Sequence, residues 1–368
     1  MTSPMRSARL ALGLLVIAAG SLAAQSSFVS PTSIISGVQA TGYDFASTYP
    51  TKSIQQVAVP LAFMFPIGGR FSVDIGSYYA YTKVQPTAGA SQSLSGFTDT
   101  QLRLSYVMGR DAVVASFMVN LPTGKKTTQN SLLLGYAANN FLLFPVNAYT
   151  NGTSVTGGLA FAKTAGGWNL GLAGSVRYNT QYEPFSDVDS TYQPGLEGRV
   201  RAGADRLVGR SRLQAGFTFS TFGTDQAGGV NIGVNQPGNR YIGELSLASP
   251  VGAGSMSFYV WDFYRSQKGS VSSGAVAHEN VFTGGVNGSW PLARKLAFEP
   301  GADARIWTPN DGMGNFFSGS LGLRWTLGSH LTFTPAGRYG LGKIRAPGAT
   351  VDSDLTGWQA NGLLRYTF

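Results

Sequence analysis

The sequence contains no cysteine and only two histidines, His278 and His330. Without cysteine there is no disulfide framework and no thiol nucleophile. Two histidines leave little from which to build a transition-metal site, and neither metal nor cofactor is expected. Charge is scarce too. Asp, Glu, Lys and Arg together make up 12% of the 368 residues, about half the usual share of a soluble domain. Long apolar runs are missing as well: beyond the N-terminal segment nothing approaches the roughly 20 residues of a membrane-crossing helix. With a mean hydropathy of +0.01, the chain reads neither as a helical membrane protein nor as an ordinary charged globule.

What is present is glycine (49 residues), phenylalanine (22), tyrosine (16) and tryptophan (6), arranged with a period of two. Val57, Val59, Leu61, Phe63 and Phe65 share one face, and "PIGGR" (66–70) turns the chain. Leu102, Leu104, Tyr106 and Met108 alternate with Gln101, Arg103 and Ser105. The stretch "GWQANGLLRYTF" (357–368) sets Trp358, Ala360, Gly362, Leu364, Tyr366 and Phe368 against Gln359, Asn361, Leu363, Arg365 and Thr367. That is strand periodicity. Phe71, Val73, Ile75, Tyr79 and Tyr81 lie on one face of the strand after "PIGGR", and a polar loop is expected at 84–96. Further strands are predicted at 112–122, 153–164, 168–178, 194–205, 211–221, 240–248, 255–264, 279–291, 296–308, 316–327 and 330–342. Short turns such as "AGG" and "GS" alternate with long polar loops such as "NTQYEPFSDVDSTYQ".

These features predict an all-β fold: a closed antiparallel transmembrane β-barrel, in which lipid-facing and lumen-facing residues alternate and their hydropathies cancel. Fifteen strands are read directly. A closed barrel with both termini at one rim needs an even number, so "SIISGVQATGYDF" (33–45) is taken as the sixteenth, with 14 to 18 open. In hydrocarbon every backbone polar group must be paired, so the last strand should pair with the first.

The N-terminus has the form of a secretory signal peptide. Arg6 and Arg9 precede an apolar run from Leu10 to Ala19, and small residues follow. We expect a signal peptide at 1–24, a barrel domain at 25–368, and a place in the outer membrane of a Gram-negative bacterium. Trp168, Trp290 and Trp325 near short turns, with Trp307 and Trp358 near long loops, are expected as membrane-interface aromatics. Tyr366 and Phe368 would join them.

Opposite the apolar positions lie Arg103, Glu197, Arg199, Arg201, Arg212, Arg240, Glu244, Glu299, Asp303, Arg305, Arg324, Arg338 and Arg365. Charges are costly facing lipid and tolerated inside, so these are lumen-lining candidates. Arg199 and Arg201 are expected to pair with Glu197, and Arg305 with Asp303. The arginine excess would favour anions. Spread singly along strands, these charges do not form a nucleic-acid footprint. The two histidines fall at opposite rims, so no catalytic residues are assigned. The longest connection, 123–152, carries "SLLLGYAANNFLLFPV", too apolar to sit in water without reason. It could constrict the lumen, form a lid or add strands.

The stretch "SGFTDTQLRLSYVMGRDAVVASFMVNLPTGK" (95–125) resembles the phenol-degradation MetA-like outer-membrane transporters, in the neighbourhood of the FadL/TodX hydrocarbon channels. The likeness is carried by Gly96, Asp99, Leu102, Tyr106 and the strand end Leu121-Pro122-Thr123-Gly124. It implies a barrel that passes small, often hydrophobic or aromatic compounds. The C-terminal stretch likewise resembles the signature by which outer-membrane barrels are handed to their insertion machinery. The expected function is passive uptake of small molecules. A general porin with weak anion preference and a barrel enzyme or structural barrel are the alternatives. Outer-membrane lipids, the insertion machinery and a small-molecule substrate are the expected partners, and oligomeric state is open.

Overall fold

The computed structural model describes residues 31–109, 113–128, 140–228, 230–231, 237–266, 278–309, 312–346 and 348–368. The predicted signal segment lies outside them. The described residues form strands and connections only. The strands are β1 (Ser33–Phe45), β2 (Thr51–Ile67), β3 (Phe71–Pro86), β4 (Gln92–Phe97), β5 (Thr100–Met108), β6 (Val113–Leu121) and β7 (Ser154–Ala165). They continue as β8 (Trp168–Asn179), β9 (Tyr192–Gln193), β10 (Glu197–Val208), β11 (Ser211–Phe222), β12 (Gln226–Ala227), β13 (Val230–Asn231) and β14 (Arg240–Val251). The last six are β15 (Gly254–Arg265), β16 (Glu279–Ala293), β17 (Leu296–Pro309), β18 (Met313–Thr326), β19 (Leu331–Arg345) and β20 (Ser353–Thr367).

Seventeen of these strands make one antiparallel sheet. β4 and β5 lie end to end beside β3, separated only by Thr98 and Asp99, so the wall is crossed sixteen times. Of the loop expected at 84–96, residues 84–86 end β3 and 92–96 belong to β4, so only 87–91 lie outside the wall. The sheet closes where β1 pairs with β20, from Ser33↔Thr367 to Phe45↔Leu355. Closure gives both edge strands their hydrogen-bond partners.

One rim has tight turns. The β7–β8 link, for example, is the pair Gly166-Gly167 with φ +57° and +78°, left-handed backbone that suits a two-residue hairpin. The other rim carries the long loops. There β9, β12 and β13 form a small separate sheet.

Alternation along each strand produces two unlike faces. Outward lie Phe117, Leu172, Phe217, Phe317 and Leu321, each 46–63% exposed. A water-soluble monomer does not display so continuous an apolar belt. The buried residues instead face inward. Tyr43, Ile54, Val84, Phe263, Val281, Trp307, Phe316, Ile344 and Leu355 form the main apolar cluster, on the lumenal side of the wall.

Candidate functional site

The apolar cluster exists because the β6–β7 connection folds into the barrel. Phe141, Leu142, Phe144, Val146 and Tyr149 are at most 5% exposed. Residues 140–149 contain turns but no strand, so this stretch adds nothing to the wall; 129–139 lie outside the described residues. Phe141 stacks on Trp307 with ring centroids 5.7 Å apart, and Phe144 meets Tyr43 edge-on at 5.4 Å. Between the buried pair Leu142 and Phe144, Leu143 sits at φ +51°. A left-handed non-glycine costs about 1–2 kcal/mol. Burying a large apolar side chain returns about 1.5–3 kcal/mol, so its two neighbours outweigh the strain. Gly314 makes room for the loop: a Cβ there would lie 2.9 Å from the Phe141 ring.

Hydrogen bonds pin the loop along its length. Gln56 treats Val146 as a neighbouring strand would: its Nε2 donates to the Val146 carbonyl at 2.9 Å, and its Oε1 accepts from the Val146 N–H at 2.8 Å. The Tyr149 hydroxyl bonds Thr82 Oγ1 at 2.8 Å and Leu94 O at 3.1 Å. Asp99, in the gap between β4 and β5, gathers both ends of the loop. It accepts from Asn120 Nδ2 (2.8 Å), Gly124 N (2.9 Å) and Asn151 N (2.6 Å). On the far wall Asn140 donates to Glu279 at 3.0 Å. The fully buried Arg305 donates to the Phe141 carbonyl, its guanidinium lying between the rings of Phe141 and Phe316. The loop thus bridges from β2 and β3 to β16 and β17, narrowing the lumen towards the long-loop rim.

Around it the inward face carries ion pairs. Arg103 meets Asp74 at 2.5 Å, Arg212 meets Asp205 at 2.5 Å, and Arg324 meets Glu299 at 3.2 Å. Glu197 holds Arg199 at 2.6 Å and Arg177 at 3.9 Å. Arg201 pairs with Glu244 at 2.7 Å, not with Glu197. Asp303 pairs with Arg338, not with Arg305. In the two corrections the expected partner stood four and two residues away on the same strand. The observed partner lies on another strand, which sequence spacing alone does not reveal. Arg240 lies 4.7 Å over the Phe222 ring. Arg365 shares the inward parity of β20 and faces Thr332 and Ile35. Sequence reading missed Asp74, Arg177, Asp205, Arg265 and Glu279. The alternation around Arg177, flanked by Val176 and Tyr178 at 53% and 55% exposed, was the available signal. Arginines outnumber carboxylates on this face among the described residues. Most keep 20–49% of their side-chain surface exposed.

Trp307 overturns its expected place at the membrane interface. It is 6% exposed, stacks on Phe141 and donates its indole N–H to Glu279 Oε1 at 3.0 Å. Its parity is that of Glu299, Asp303 and Arg305, which face the lumen. Trp168, Trp290, Trp325, Trp358, Tyr366 and Phe368 follow the outward parity. Arg206 sits 5.5 Å over Trp168, and Tyr366 meets Phe368 edge-on at 4.8 Å. His330 bonds the Thr367 carbonyl at 2.7 Å in a tight turn, and His278 precedes β16 at the opposite rim. Among the described residues no group of three His, Asp or Glu is placed to hold a metal ion.

Above the lumen, the long loops join. Tyr182 bridges Tyr192, whose hydroxyl donates to Asp225, and Lys126 pairs with Glu183 at 2.7 Å. Burial, then the charges of Asp99 and Asp225, push the Tyr182 hydroxyl up to about 12. Burial and then the Asp225 hydrogen bond raise Tyr192 further. The Lys126 ammonium holds the Glu183 carboxyl below its ordinary range.

Fold and site together define a class: a closed sixteen-crossing β-barrel with one loop packed inside it. No protein-family model and no curated protein matches the chain. Among solved structures it is similar to OmpT, an outer membrane protein of Vibrio cholerae, at 11% identity and TM-score 0.40, covering 91% of this chain and 97% of that one. It is also similar to the translocator domain of the autotransporter NalP from Neisseria meningitidis (10%, TM-score 0.36, 92% and 89%). A third is a mutant Rhodopseudomonas blastica porin (13%, TM-score 0.33, 91% and 100%). No FadL/TodX-like channel is among these neighbours.

Proposed function

We propose that the protein is an outer-membrane channel through which small molecules pass passively, with a preference for anions. The observation that carries this is the inward face beside the packed loop 140–149, where arginines such as Arg199 and Arg201 keep 49% and 29% of their side-chain surface exposed. The continuous apolar belt supports a membrane location. The signal-like N-terminus supports export, and the C-terminal strand suits delivery by the insertion machinery. An arginine surplus along a narrowed path raises the local concentration of anions and repels cations. Catalysis has less support: the histidines stand at opposite rims, and the buried carboxylates are held in ion pairs or, as Asp99 and Asp225 are, by hydrogen bonds that tie loops. A second reading, uptake of hydrophobic or aromatic compounds, is favoured by the apolar loop itself.

Reconstitution of the full chain in planar bilayers tests the channel reading. Discrete conductance steps are expected, with a reversal potential in a KCl gradient showing chloride preferred over potassium. Absence of steps, or cation preference, would overturn it.

A further inference from the structure

We propose that Arg240 and the apolar wall beside it form a binding subsite for small organic anions with an apolar body, such as aromatic monocarboxylates. The proposal deepens the channel reading above and rests on it.

A single row of cross-strand partners runs along the inward face near the long-loop rim: Arg199, Ser220, Arg240, Arg265 and Glu279. The carboxylates near this row are engaged. Glu197 holds Arg199 and Arg177. Glu279 holds Arg265 at 3.2 Å and accepts from Asn140 and Trp307. Arg240 is different. Among the described residues it has no carboxylate within the 4.0 Å of an ion pair, whereas Arg265 has Glu279; like that of Arg265, its buried Nε has no hydrogen-bond partner. A buried donor left unmet is costly. Here that donor belongs to a planar fork, the group best suited to grip a carboxylate with two parallel bonds.

The surroundings specify what should be attached to that carboxylate. The Phe222 ring lies 4.7 Å beneath the guanidinium. Two residues along β14, roughly 7 Å away, Ile242 shares the inward face. Its cross-strand partner is Phe263, and Trp261 stacks on Phe263 at 6.0 Å. Ile242 and Trp261 are only partly buried, packed at the margin of the cluster that holds the loop. The connection 123–152 contains no Asp or Glu, so nothing on it opposes an incoming anion. Chloride or acetate could meet the guanidinium but would leave this apolar margin bare. A ring-bearing carboxylate would cover both.

The test uses the full chain, with benzoate, acetate and benzyl alcohol as probes of charge and apolar body. In planar bilayers benzoate should interrupt the chloride current at concentrations ~10-fold below acetate, and neutral benzyl alcohol should not. Calorimetric titration of detergent-purified protein with benzoate should show the same order. Arg240→Gln should remove the advantage of benzoate over acetate. Arg240→Lys, which keeps charge but not the fork, should remove part of it. Arg210→Gln, which deletes the same charge on the β10–β11 turn, should leave it intact. Equal effects of benzoate and acetate, or an unchanged benzoate response in Arg240→Gln, would overturn the subsite. If the wild type carries no current at all, the channel reading fails, while the calorimetric titration still decides the subsite.

Discussion

Tyr192 donates its hydroxyl to Asp225, which also accepts from Gly195 N at 2.7 Å. The contact closes the loop platform above the lumen, and it works only while the phenol keeps its proton. Burial and the Asp225 carboxylate raise the Tyr192 pKa, and Tyr182 beside it is pushed up to about 12. A group whose folded pKa is raised gives stability that is whole below its unfolded value. That stability is lost as pH climbs through the folded value. The platform should therefore hold below the ordinary tyrosine value of 10.0 and loosen as pH rises to about 12 and beyond. Ultraviolet titration of the wild type minus Tyr192→Phe should place this phenolate above pH 10. Protease attack on 180–196 should rise over the same interval. A difference spectrum complete at the ordinary value would defeat the argument. Trp307 teaches a related lesson about reading single residues. Its position near a long loop suggested a girdle, yet Asp303 and Arg305, four and two residues before it, already fixed its face. Within a strand, parity outranks position, because a residue cannot leave its face without moving every neighbour.

At the level of elements, strands and connections differ in how much a sequence reveals. β1, expected at 33–45 from the need for an even number, spans Ser33–Phe45. Each half-buried strand repeats its own pattern, so the wall was legible. The loop was legible only in part. Its apolarity said that it must leave water, but not where it would dock. Its partners Gln56, Thr82, Asp99 and Arg305 come from four strands or strand gaps scattered along the chain, and no local pattern joins them. Asp99 is the tightest of these anchors, because it ties the departing and returning ends of the loop together. Replacing it with alanine removes the acceptor from four donors, the Thr150 hydroxyl at 3.4 Å being the fourth, an expected cost of about 1.5–3 kcal/mol for a charged acceptor. That cost should fall on the loop, since the backbone ladders on either side of Asp99 do not depend on its side chain. Asp99→Ala should therefore keep the heat-modifiable folded form on gels, yet show faster proteolysis within 123–152 and a noisier open-channel current. Loss of the folded form, or a loop as resistant as the wild type's, would show that Asp99 does not carry it.

For the whole molecule, the same alternation that made the strands readable decides which solvent each residue meets. β11 offers a direct comparison. Phe217 points outward and is 50% exposed; Gln214, three residues earlier, points inward opposite Asp205. If the belt faces lipid, a cation at 217 has no water and no counter-ion near the middle of the strand. Phe217→Arg should then cost about 2–4 kcal/mol. The same arginine at 214 meets a hydrated lumen and a carboxylate whose Oδ1 lacks a partner. Gln214→Arg should be neutral or slightly stabilising. Urea unfolding of both variants in phospholipid vesicles measures the difference. In a water-soluble barrel with an apolar interior the order would reverse: arginine would be tolerated on the exposed face and destabilising inside. An order of that kind would remove the membrane from the account. With it would go the reason for a closed wall whose largest apolar surface lies outside.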